Sequence, residues 1–252
     1  ISNLHVAQLI NEFKVNDRLQ FIANASFNAI SNDQPDRLTQ AYQVVAGQWA
    51  INTNQDGNMS SYYQSLSDRD YTAGLAGRYS LKKDSASNED ITAISLGYTL
   101  RYKTREFTQY DYIFKANVQN PTGFVFPDDI SRFFSASNIG TGDNNYRLFA
   151  ERQSAGRVLA QIYDGDLSIH SPSVAIEHKF TPKVTVAAGA RVDLVGQNVN
   201  WDIQGNRPPK DNVFFEDFKI LPFVNAKYEM NDKQNLKFAF SKTYTLPQFK
   251  EL

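Results

Sequence analysis

Residue types able to do chemistry are few in this chain, and they gather where the sequence is most polar. Asp164, Asp166, Ser168, His170 and Ser171 bring carboxylates, hydroxyls and an imidazole into one short stretch. Such groups make hydrolytic or metal sites, but spacing alone does not put acid, base and hydroxyl within hydrogen-bond reach, and nothing nearby offers an oxyanion hole. A solvated loop end is the expectation there. Asn52, Asn54, Asp56 and Gly57 open with the spacing of a calcium loop, yet Tyr63 stands where such a loop places its bidentate Glu, so a polar turn is expected instead. His178 falls among apolar alternates with no serine in the matching position of either neighbouring run, which suits an interfacial histidine better than a base. With no phosphate-binding glycine loop and no cysteine, the chain is expected to hold no catalytic residue, metal or cofactor.

The charges at alternating positions say more. Arg78, Arg101, Lys103, Glu177, Arg191, Asp193 and Lys227, joined by Lys179, Glu229 and Lys237, all fall on the side opposite the apolar residues of their runs. They would line an aqueous lumen or cover a solvated sheet face, and for most single charges the solvated face is the plainer reading.

The elements that must position them have a period of two, the mark of strands with one dry face. Leu19, Phe21, Ala23, Ala25, Phe27 and Ala29 alternate with polar residues; so do Tyr71 to Leu81, Ile94 to Tyr102, Val174 to Phe180, Val184 to Leu194, Phe214 to Met230 and Leu236 to Phe240. With a first, less regular run over Leu4 to Val15, that makes about eight strands. Long polar insertions near 31–70, 115–171 and 196–212 are expected to be loops; Leu148, Leu159 and Ile162, within Tyr146 to Ile162, have some helical spacing that carries little weight against a loop. The connections then alternate short and long. A soluble sandwich has no reason to gather its long loops at one end, whereas a membrane barrel does, and insertions of that length are unusual in compact domains.

Composition adds limits. The chain has 252 residues, 41% hydrophobic and 13% aromatic, with a formal net charge of −1 and a mean hydropathy of −0.47. Near-neutral charge argues against a nucleic-acid partner. No apolar run approaches the roughly 18 residues of a membrane helix, while a barrel keeps a soluble-looking composition because alternate residues face water.

The segment LPFVNAKYEMNDKQNLKFAFSKTYTLPQFKEL carries a resemblance, above all through Ser241, Thr243, Pro247, Phe249, Glu251 and Leu252. It is similar to the mid-barrel signature of TonB-dependent outer-membrane transporters, where a strand ends in a Ser-x-Thr, Pro-x-Phe, Glu-Leu pattern. Phe180 to Asp193 resembles the hairpin that precedes that signature. Leu246-Pro247-Gln248, where many relatives have Arg-Pro, is most like receptors of Bacteroidetes-type bacteria. About seventy residues carry the match.

The resemblance implies an antiparallel transmembrane β-barrel of about 22 strands, some eight of them present here, with a plug domain in the lumen that this sequence does not include. It further implies the outer membrane of a Gram-negative bacterium. The partners it implies are outer-membrane lipid, the plug, a TonB-type energy-transducing protein and, as a further candidate, a surface lipoprotein. The expected function is nutrient uptake: binding at outer loops and admission to the periplasm when the plug is remodelled, without covalent chemistry. A small closed barrel serving as anchor or adhesin, and a barrel hydrolase, are the alternatives.

Overall fold

A computed structural model describes residues 2–52, 59–85, 87–117, 147–150, 159–203, 210–231 and 233–251. The strands are β1 (Ser2–Lys14), β2 (Leu19–Gln40), β3 (Tyr42–Val45), β4 (Gln48–Ile51), β5 (Met59–Lys83), β6 (Asp90–Asn117), β7 (Arg147–Ala150), β8 (Leu159–Thr181), β9 (Val184–Ile203), β10 (Lys210–Asn231) and β11 (Gln234–Ser241). The main sheet is antiparallel in the order β1-β2-β5-β6-β8-β9-β10-β11, each long strand paired with its neighbour in the chain. β7 pairs with the far end of β6, and β3 with β4 forms a separate hairpin.

At one end of the sheet the connections are tight, and short polar side chains hold them. Asn16 Oδ1 accepts from the N–H of Arg18 and of Leu19 at 2.8 and 2.9 Å. Thr181 Oγ1 accepts from Lys183 and Val184, and Asn231 Oδ1 accepts from Lys233. Such local bonds let the backbone reverse without a longer loop.

Residues directly opposite in an antiparallel pair share a face, so the register sorts every side chain. We call inner the face on which the C-terminal segment packs, and outer the face opposite. Tyr79, Ile94, Ile176, Ala188, Val224 and Phe240 form one continuous outer row. The outer face is apolar and uncovered: Leu75 is 53% exposed, Leu96 60%, Phe180 65% and Phe238 62%. Phe21, Leu96, Val186 and Phe238 therefore line an outside wall and do not meet in a sealed core. On β2, β5, β6 and β8 the apolar outer band runs from Leu19 to Phe27, Tyr71 to Leu81, Ile94 to Tyr102 and Pro172 to Phe180. Each is close to the 9–11 residues with which a tilted strand crosses hydrocarbon. On β9 and β10 the band reaches Val184 and Tyr228, closer to the turns than Tyr79 and Ile94 in the row above, so it crosses the strands obliquely, as tilt requires.

Beyond that band the strands continue, which corrects the loop expectations. β5 has 25 residues, β6 28 and β8 23. Most of 31–70 belongs to β2, the β3–β4 hairpin and β5; β8 already begins at Leu159, and β9 and β10 take in most of 196–212. Leu159 and Ile162 lie on a strand, not a helix, and Leu148 is in β7. The reason is an inversion of phase. On β8 and β9 the outer positions become Asp164, Asp166, His170, Asn198, Asn200 and Asp202, while the inner ones become Tyr163, Leu167, Ile169, Val195, Val199 and Trp201. The outer side has turned polar there, and a small core has formed inside.

Among the described residues β1 and β11 each have one neighbour and are not joined to each other, so these eight strands form an open sheet. Open edges cannot face hydrocarbon, because their N–H and C=O groups would go unpaired. An arginine at Ile176, in the middle of the band, is expected to destabilise the protein in a bilayer by about 2–4 kcal/mol, and one at Ser168, beyond the band, by at most about 1 kcal/mol. Denaturant titration of the membrane-inserted variants measures both.

Candidate lumen wall and its docked tail

After Ser241 the chain leaves the sheet edge and turns onto the inner face. Lys242 N–H donates to the Pro222 carbonyl, and the next residues lie across β8 and β9. Phe249, 6% exposed, enters a cluster with Leu167, Ile169, Val195 and Val199, flanked by Tyr163, Trp201, Val213, Phe215, Tyr244 and Leu246. Its ring lies on Gly165, where a Cβ would stand 2.6 Å from Phe249 Cδ1, so no larger residue fits while the ring is seated. The Arg105 guanidinium is 5.6 Å from the centroid of the same ring.

Polar groups fix the register of the tail. Gln197 Nε2 donates to the Pro247 carbonyl at 3.3 Å, and Tyr244 Oη donates to Asp193 Oδ2 at 2.9 Å. A short 3-10 turn, Phe249–Glu251, closes the segment, with Glu251 Oε2 accepting from the Gln248 N–H. Of the signature residues, Pro247 thus supplies an acceptor, Phe249 the anchor and Glu251 a turn cap. Ser241 ends β11 and Thr243 begins the crossing, while Leu252 lies outside the described residues.

Burial, then the neighbouring Asp193 carboxylate, pushes the Tyr244 phenol up to about 12. A raised acid constant in the folded state gives a contribution that is whole below the unfolded tyrosine value near 10 and is lost as pH rises through the folded one. A spin label at Lys250 is expected to stay immobilised through about pH 10 and to loosen toward about pH 12. In Tyr244→Phe that step disappears from the titration.

The seven charges singled out from the sequence all lie on the inner face, and each is ion-paired. Arg78 meets Glu177 at 2.8 Å and Asp90 at 3.3 Å. Arg101 Nε donates to Asp70 Oδ1 at 3.1 Å. Lys103 shares Asp68 with Arg105, at 3.1 Å and 2.5 Å. Lys227 pairs with Glu229 at 2.6 Å. Arg191 Nε stands 2.8 Å from Asp193 Oδ1 without the alignment of a hydrogen bond, so it holds that oxygen by charge. Arg101, Lys103, Arg105, Arg191 and Asp193 line, with the tail, a cavity of about 520 Å³. Asp68 is held below the usual aspartate range: its burial would raise it, but the hydrogen bonds and charges of Arg105 and Lys103 outweigh burial.

The other sequence candidates are not brought into one site. The Ser168 hydroxyl faces the Gly196 carbonyl at 3.5 Å, and His170 Nδ1 is 2.6 Å from Tyr98 Oη. Asp164 and Asp166 accept from Asn200 and Asn198 across the strand pair, and Ser171 points the other way, buried on the inner face. His178 sits in the outer band, bonded to Thr92 and edge-on to Phe180. Of the calcium-loop residues, Asn54, Asp56 and Gly57 lie outside the described residues. Among the described residues no group of three or more potential metal-ligating side chains gathers. Arg105, Asp68, Gln197 and Tyr244 were missed from the sequence, although Val195, Gln197, Val199 and Trp201 repeat with the period of a strand.

The chain matches no known protein-family model, and no curated protein matches it.

Proposed function

We propose that this sheet is part of the wall of a large outer-membrane β-barrel that takes up a scarce nutrient in the TonB-dependent manner. The observation that carries the proposal is the phase inversion: an uncovered apolar outer band about as tall as a bilayer's hydrocarbon, followed by strands that turn their polar side outward. Three features support a transporter over a small anchoring barrel. The sheet has two open edges that further strands would pair; its inner face is charged and paired at the level of the band; and the signature segment folds inward onto that face. In this reading the inner charges face a plug domain, the long connections receive the nutrient, and an inner-membrane energy-transducing protein of the TonB type drives plug remodelling. A surface lipoprotein would cover the outer mouth.

Uptake measurements test this. Under nutrient limitation, cells lacking the gene are expected to lose accumulation of at least one solute. The same loss should follow when the proton-motive force is collapsed in cells that keep it. Unchanged accumulation of every solute in the deletion strain would reject transport.

A further inference from the structure

On the outer face, inside the apolar band, a groove of about 490 Å³ lies across β1, β2, β5 and β6. Its floor is small: Ala25 faces Ala73 in the register, with Ala7 one row further from the turns. Leu9 and Leu100 stand at the ends of the Ala25–Ala73 row, and Tyr102 ends the next. In that next row the Phe27 and Tyr71 rings pair at 4.9 Å between centroids, while Ala7 leaves the row open on the β1 side. The row beyond, at the rim of the band, reads His5, Ala29, Arg69, Thr104. His5 and Arg69 are exposed, and Ala29 between them leaves a gap bounded by two donors. With neighbouring strands about 4.8 Å apart, the two basic residues are about 10 Å from each other, a span that a phosphate over Ala29 bridges with both side chains extended. Among the described residues Arg69 has no ion-pair partner.

We propose that this groove binds one phosphate-bearing membrane lipid, its acyl chain on Ala25 and Ala73 and its phosphate over Ala29 between His5 and Arg69, in the leaflet away from the tight turns. The inference rests on the outer band being lipid-facing. The groove is almost wholly apolar in its lining, as an acyl chain needs, and the two basic groups stand at headgroup depth, next to the aromatic row. A basic residue near a bilayer surface attracts an anionic lipid by about 1 kcal/mol, which is about five-fold in affinity.

The test is native mass spectrometry of the intact protein released from bilayers of mixed phosphatidylglycerol and phosphatidylcholine. A retained lipid is expected, enriched in phosphatidylglycerol. Arg69→Gln is expected to lower that enrichment about five-fold, and Ala25→Leu, which fills the floor, to abolish retention while denaturant stability is kept. Retention of both lipids in bilayer proportion by the unaltered protein would overturn the proposal, as would retention unaffected by Ala25→Leu. Quenching of a probe at Ile176 by brominated acyl chains keeps the two ideas apart. If that probe is quenched and no lipid is retained, only the groove fails; if it is not quenched, the lipid-facing band fails with it.

Discussion

Phe249→Ala is expected to undock the tail from the inner wall. Truncating a buried phenylalanine costs about 3–5 kcal/mol, so the balance between seated and free tail should shift by more than about a hundredfold. The loss falls on one element, because Phe249 is the tail residue that enters the cluster of Leu167, Ile169, Val195 and Val199, while the sheet keeps its own ladder. A spin label at Lys250 should become mobile, with strand content unchanged. Gly165→Val should give the same mobility from the other partner, since any Cβ there meets the Phe249 ring. The two changes together should do little more than either, as they remove one contact. A label that stays immobilised in both variants would mean that the polar bonds of Tyr244 and Pro247 hold the tail by themselves.

Asp68→Asn is expected to have the next largest effect. The Asp68 side chain is 7% exposed and holds Lys103 and Arg105, which keep 20% and 21% exposure. Removing one member of a buried ionic cluster costs about 3–5 kcal/mol, and the remaining access of water to both cations puts this case near the lower end. The control is Asp70→Asn. Its partner Arg101 is 45% exposed, so that pair is expected to contribute no more than about 1 kcal/mol. The sign with pH follows from the lowered acid constant of Asp68. Its contribution is present above the ordinary aspartate value near 3.9 and is lost as pH falls through the lower, folded value. Acid titration of the unaltered protein should therefore show loosening below about pH 3.9, and Asp68→Asn should lack that step.

Half of this architecture can be read from the residues. Within the band, one face of the sheet is apolar and the other polar, so Leu96 and Phe238 alternate cleanly with Gly97 and Ala239, and strand, face and charge placement are all legible. Past the band the polar side turns outward. Val195, Val199 and Trp201 keep the period of two but with the opposite phase, and a reader following the apolar side sees the strand end at Leu194. The outer part of β2 is harder still, because both of its faces are polar. Its pairing with β5 is held by ladder bonds and by contacts such as Ser65 to Asp33 and Ser61 to Asp36, which leave no period in hydropathy. The tail is visible as a pattern, but its task is not. That Phe249 seats on Gly165 and Tyr244 on Asp193 depends on a fold-back over more than eighty residues of chain in the first case and more than fifty in the second, which no local spacing encodes.

The proposed lipid contact of the outer band can be measured directly, since the chain has no cysteine to remove. Single cysteines at Leu75, Ile176, Val192 and Phe238, at Ala175 and Thr99 on the inner face, and at Asn200 beyond the band would each carry a fluorescent probe in bilayers with brominated acyl chains. Strong quenching at the first four, with little at Ala175, Thr99 and Asn200, is the expected result. Equal quenching on both faces, or none at Ile176 and Val192, would contradict a sheet that turns its apolar side to a membrane.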